Sequence, residues 1–218
     1  MITEIVAESH PWILKECASV CQDLRPWAQH YTLSRIRLGG NKGFREWSSH
    51  VEHTTLSSFV TRIHYYKIGN DQPCRLESNK CIGYLTKIHG LWLDGANLYN
   101  MPDFAVLGPA IRVLELHNCQ AFTDDLLTFI RHFTQLEVLA ISRLTLPGRR
   151  SSVKQDMRSP PVAGDSLRKV ALLPGNTFIL HAMGWMELFH FLVYSGSKLN
   201  MIRIHSELPG SLHKWMTF

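Results

Sequence analysis

The chain has 218 residues, 45% of them apolar and 19% charged, with a net charge of +5. That composition excludes disordered, collagen-like and low-complexity classes, and the length is enough to bury a large core without metals or disulfides. Five cysteines, an odd number, are too sparse for a disulfide scaffold and point to a reducing, intracellular compartment, cytoplasmic or nuclear.

The first residues, 1–8, carry two glutamates and no apolar core of a secretory signal. Residues 13–24 read as a helix, because Leu14, Cys17, Val20, Cys21 and Leu24 recur at i, i+3, i+4 and i+7. Cys17 and Cys21 lie one turn apart on its apolar face and read as small buried hydrophobes rather than a metal pair. Pro26 ends that helix or opens the next, and Trp27 follows as a large anchor. Ile36 and Leu38 alternate into Gly39-Gly40, a short strand and a boundary.

Beyond this point a strand template, apolar-x-x-apolar-x-apolar, recurs. It reads Ile88, Leu91, Leu93; Ile111, Leu114, Leu116; Leu136, Leu139, Ile141; Leu167, Val170, Leu172; and Leu199, Ile202, Ile204. Val60, Ile63 and Tyr65 form a weaker copy. The middle residues are spaced by 28, 23, 25, 31 and 32 residues, in or near the range of leucine-rich repeats. Alternation sends the last two apolar positions of each copy to one face, and one copy cannot cover that face alone, so copies must stack. Leu91, Leu114, Leu139, Val170 and Ile202 are expected in one core row. Segments between strands read as helices. Residues 124–133 place Leu126, Leu127, Ile130 and Phe133 on one side, with Thr123 as the expected cap. Residues 183–194 do the same with Trp185, Leu188, Phe189 and Leu192. The fold class is α/β, a leucine-rich-repeat-like solenoid of parallel strands alternating with helices, preceded by a small helical segment. Its units are 1–38 and 39–218. Cys119 occupies the place of the Asn that often closes such a repeat; Ala96, Leu144 and Gly175 hold it in other copies.

The net charge has a local origin. Residues 149–169 hold six basic and two acidic side chains, four of the five net positive charges. The stretch has no aromatic residue and is rich in Ser, Pro and Gly, so 147–166 reads as a surface loop rather than a nucleic-acid face. Ser151, Ser152 and Ser159 lie in basic or proline-directed contexts and are candidate phosphorylation sites. The most apolar stretch, 178–194, is broken by His181, Gly184, Glu187 and His190, and no membrane partner is expected.

The amino-terminal runs Ile2-Thr3-Glu4-Ile5-Val6, Leu14-Lys15-Glu16-Cys17-Ala18-Ser19-Val20-Cys21 and Leu24-Arg25-Pro26-Trp27 are followed by His30-Tyr31 and Ile36-Arg37-Leu38. Together they resemble an F-box, and with the divergent repeats the whole resembles fungal F-box/leucine-rich-repeat-like proteins. Met1-Ile2 stands where the family opens with Leu-Pro, Gln22 replaces a basic residue, and the first helix is shortened to about 6–10. The resemblance implies a protein-interaction adaptor like the substrate-recognition subunit of a cullin–RING ubiquitin ligase. It implies a Skp-type adaptor as partner, met by Ile2, Ile5, Leu14, Cys17, Val20, Cys21, Leu24 and Trp27, and a protein substrate of unknown identity.

Chemical motifs give no competing assignment. The chain has no phosphate-binding loop, dinucleotide fingerprint or nucleophile elbow, and no paired metal knuckle. No catalytic residue, metal or cofactor is assigned. Outward positions on the concave side of the strands are the expected partner-binding set: Tyr66, Trp92, Asp94, Glu115, His117, Ser142, Arg203 and His205, with Ala140 and Ala171 between them. The alternatives are a stand-alone repeat-type binding protein without ligase assembly, and an enzyme of unrecognised class on an α/β fold.

Overall fold

The computed structural model describes residues 16, 19, 21–23, 25–39, 43, 46–47, 55–67, 85–98, 107–146, 166–172, 186, 188 and 190–192, together with the backbone of 201–204 and 214–216. Helix α1 spans Arg25–Ser34 and leads directly into β1, Arg35–Gly39. A 3-10 turn at Thr55–Phe59 precedes β2, Arg62–Tyr66; then come β3, Gly90–Asp94, and β4, Val113–His117. Helix α2, Thr123–Arg131, separates β4 from β5, Val138–Ser142. Strands β6, Lys169–Leu172, β7, Met201–Ile204, and β8, Lys214–Met216, follow. All eight strands form one sheet in chain order. β1 to β7 are parallel, and β8 closes the order antiparallel to β7. The strand that ends the amino-terminal segment therefore shares a ladder with the rest of the sheet.

Register follows the repeated template. Ile36, Ile63, Leu91, Leu114, Leu139, Val170 and Ile202 are successive partners, and Leu38, Tyr65, Leu93, Leu116, Ile141, Leu172 and Ile204 form the next row. From Ile63 to Val170 every member of the first row is at most 1% exposed. A one-residue slip would turn this whole set to solvent, so burial fixes the pairing.

Two backbone devices repeat with the strands. Before them, one carbonyl takes two N–H groups from the following copy. Thr61 C=O accepts from His89 and Gly90, His89 C=O from Arg112 and Val113, Arg112 C=O from Glu137 and Val138, and Glu137 C=O from Arg168 and Lys169, all at 2.8–3.1 Å. After them, Gly95, Asn118 and Arg143 stand at equivalent positions with φ of 68°, 51° and 52°. Asn tolerates this left-handed region; Arg143 holds it at a cost on the order of 1 kcal/mol. The turn sends Ala96, Cys119 and Leu144 inward, and the chain then bridges Asn97 to Gln120 and Gln120 to Thr145. The Cys119 thiol donates to the His117 and Leu93 carbonyls, and burial pushes its pKa up to about 12.

Helix α2 buries Leu126, Leu127, Phe129 and Ile130, with Phe133 just beyond it and edge-on to Phe129. The expected cap is corrected. Phe122, in extended backbone, is the N-cap and makes no side-chain cap bond, whereas Thr123 is the first helical residue. Thr123 is turned fully into the core, and its hydroxyl has no partner among the described residues. Asp124 and Asp125 do fall in the first turn, where they favour the helix dipole. In the later helical segment Leu188 and Leu192 are buried as the spacing predicts. Phe191 is buried with them, under the guanidinium of Arg131 at 5.7 Å.

The first predicted helix ends sooner than expected. Glu16 and Ser19 are helical and exposed, but Cys21 has left the helix and Gln22-Asp23 form a turn. Pro26, second in α1, has the fixed φ and missing N–H that suit a helix start, so it opens the next helix, one of the two roles the sequence left to it. Ser166, the last residue of the stretch read as a basic loop, is anchored, donating to the Thr134 and Leu136 carbonyls, and residues 147–165 lie outside the described residues. Ser151, Ser152 and Ser159 lie outside the described residues.

Candidate functional site

One face of the sheet is core. The other carries side chains in three rows set by the same register. The first is Arg35, Arg62, Gly90, Val113, Val138 and Lys169. The second is Arg37, His64, Trp92, Glu115, Ala140, Ala171 and, by backbone register, Arg203. The third is Tyr66, Asp94, His117 and Ser142. Tyr66, Trp92, Asp94, Glu115, His117 and Ser142 thus share the face on which alternation places them.

The rings pack side by side across β2, β3 and β4. His64 stacks on Trp92 with centroids 4.2 Å apart and planes 13° from parallel. His117 stands at 4.9 Å on the other side of Trp92, tilted by 43°. Tyr66 adjoins His64 at 5.9 Å, and the Arg37 guanidinium lies 5.1 Å from the Tyr66 centroid. Parallel strands are about 4.8 Å apart, so neighbouring rings in register meet in this way without bending the backbone. Trp92, flanked by the two histidine rings, remains 38% exposed, high for a large ring in a packed row.

The charges on this face are uneven. Arg35, Arg37 and Arg62 are exposed on β1 and β2, which carry no acidic residue. The stem of Arg62 crosses Gly90: a Cβ there would approach Arg62 Cγ to 2.8 Å, so the close passage needs glycine. The two carboxylates are held locally. Asp94 accepts from the Asn118 amide at 2.8 Å, and Glu115 faces His117 Nε2 at 3.6 Å. The contact with His117 is the main cause holding the Glu115 carboxyl below its usual range. Burial opposes it, and the charges of Arg62 and Arg35 assist. Burial chiefly, then Arg37, hold His64 below 6.5, although Asp94 and Glu115 pull the other way. The Nε2 atoms of His64 and His117 are shielded from solvent and have no hydrogen-bond partner among the described residues.

His64 and the three arginines were missing from the expected set. His64 was open to the alternation argument, since it stands between Ile63 and Tyr65. Arg62 is far in sequence from Arg35 and Arg37 and meets them only through the β1–β2 register. Of the amino-terminal set, Cys21 is half-buried in irregular backbone and Trp27 falls within α1. Ile2, Ile5, Leu14, Cys17, Val20 and Leu24 lie outside the described residues, as does His205. Among the described residues no group of three or more His, Cys, Asp or Glu side chains is placed to hold a metal. Among them no helix is long and apolar enough to cross a membrane. In comparison with known proteins, the chain matches no family model, no curated protein and no solved structure.

Proposed function

We propose that the chain is a protein-interaction adaptor: a leucine-rich-repeat-like α/β solenoid whose outer sheet face receives a partner protein. The observation that carries this reading is Trp92, held between His64 and His117 and still 38% exposed on an otherwise continuous face. Tryptophan in such a setting is a typical energetic anchor of protein interfaces, surrounded by polar groups that fix orientation. The shared register of β1 to β7 and the repeated left-handed turn at Gly95, Asn118 and Arg143 support the solenoid part of the reading. The amino-terminal resemblance to an F-box supports a place in a cullin–RING ubiquitin ligase, with a Skp-type adaptor as one partner and an unidentified protein substrate as the other. In that assembly the protein works in the cytoplasm or nucleus.

Two binding experiments test the two halves separately. Titration of purified Skp-type adaptor into the full chain reports ligase assembly. Absence of binding, where an intact F-box binds, leaves a stand-alone repeat-type binding protein. Quantitative co-purification with wild-type and Trp92→Ala chains reports the outer face. The proposal expects at least one protein to be lost with Trp92→Ala while folding is unchanged, and identical captured sets would remove the face from the account.

A further inference from the structure

We infer that His64 is an acid-released latch on Trp92: as a neutral ring it closes one face of the indole, and on protonation it swings to solvent and bares that face. The two histidines of the row differ in a way that decides which one moves. Both Nε2 atoms are shielded from solvent and have no hydrogen-bond partner among the described residues. His117 Nε2, however, has the Glu115 carboxylate 3.6 Å away, so a proton taken up there meets an anion and tightens the contact. His64 Nε2 has no such acceptor. Asp94 is engaged with the Asn118 amide and Glu115 with His117. An imidazolium at His64 would hold a shielded N–H without an acceptor, a costlier arrangement than the neutral ring.

Every strand beside His64 contributes to its electrostatics. Arg37 on β1 and His117 on β4 disfavour a proton there, whereas Asp94 on β3 and Glu115 on β4 favour one. Arg62 and Tyr66 are its same-face neighbours on β2, and Arg35 stands opposite Arg62 on β1. Burial is the largest influence and, with Arg37, leaves the stacked ring less basic than a solvated one. A charged imidazole gains cation–π attraction over an indole face, yet that gives the shielded Nε2–H no acceptor. Falling pH therefore moves the ring from the stack toward water, because the population shifts to the placement that holds the proton better. The movement is short. His64 is half-buried, and rotation of its own side chain takes the ring out of the stack while the β2 backbone keeps its register. His117 stays on the other side of Trp92, so the acid form bares one face of the indole and leaves the rest of the row standing. The latch needs no partner and stands or falls apart from the interaction reading.

The test is indole NMR on the full nitrogen-15-labelled chain, titrated from about pH 7.5 to about pH 5, with circular dichroism to check that the fold persists. The Trp92 Nε1–H signal is assigned by its loss in Trp92→Phe. In the wild type it should move as the ring current of His64 is withdrawn, with a midpoint below 6.5. His64→Phe, a ring that stacks but takes no proton, should hold the signal at its neutral position throughout. His64→Ala should place it near the acid position already at about pH 7.5. His117→Phe should leave the titration in place. A wild-type signal that does not move would overturn the inference. So would a movement that persists in His64→Phe or vanishes in His117→Phe, or a His64→Ala signal at the neutral wild-type position.

Discussion

Replacing Leu114 by Ala tests the core row at its centre. Leu114 is 0% exposed, between Leu91 on β3 and Leu139 on β5. The change removes three carbons, about 2.4 kcal/mol at about 0.8 kcal/mol per buried methylene. The parallel neighbours cannot close the gap without breaking register, so a cavity term adds to it, for a total of about 3–4 kcal/mol within the range of core Leu→Ala changes. With a urea m value of about 2 kcal/mol/M, the unfolding midpoint should fall by about 1.5–2 M. Glu115→Ala is the matched control, because the next residue points to the other face and its contact with His117 is partly solvated. It should move the midpoint far less. Equal losses for the two variants, or a shift under about 0.3 M for Leu114→Ala, would refute the assignment of faces.

Three further outcomes follow from particular groups. Cys119, whose thiol is buried and pushed up to about 12, should resist alkylation in the native protein at pH 8 and react once unfolded, as peptide mass spectrometry can show. His64 is held below 6.5 by burial, so the unfolded chain takes up a proton that the folded chain refuses. Its contribution is therefore complete above pH 6.5 and is lost as pH falls below it, and His64→Phe should flatten that part of the stability profile. Thr123→Val replaces a buried hydroxyl without a partner by a methyl of similar size; thermal unfolding should show no loss, or a gain of about 1 kcal/mol.

The sheet was readable in the sequence because its cause is local and repeated. Each copy needs two inward apolar residues on an alternating strand, and Leu114-Leu116 and Leu139-Ile141 announce this in three residues. Stacking then follows from burial, and the register of Leu91, Leu114, Leu139, Val170 and Ile202 is the one the template implies. Thr123 shows where residue type misleads. Its hydroxyl suits a cap, but the direction of entry from Ala121, buried in the core, gives that position to Phe122. The early end of the first predicted helix has a similar origin, since the apolar period runs on through Cys21, which has left the helix. On the outer face, the ring row was visible through Tyr66, Trp92 and His117, with His64 left out. The arginine cluster was not, because counting charge along the chain finds residues 149–169, whereas Arg62 is brought to Arg35 and Arg37 only by pairing of β1 with β2.

The most direct test of the central claim is site-specific photocrosslinking of the full chain in cells. A photoreactive residue at Ala140, on the outer face beside Glu115, is compared with one at Met186, 66% exposed on a helical segment. The account predicts a discrete crosslinked protein from position 140 that disappears when Trp92→Ala is added, and no such product from position 186. The same product from both positions, or one from position 140 that survives Trp92→Ala, would contradict it.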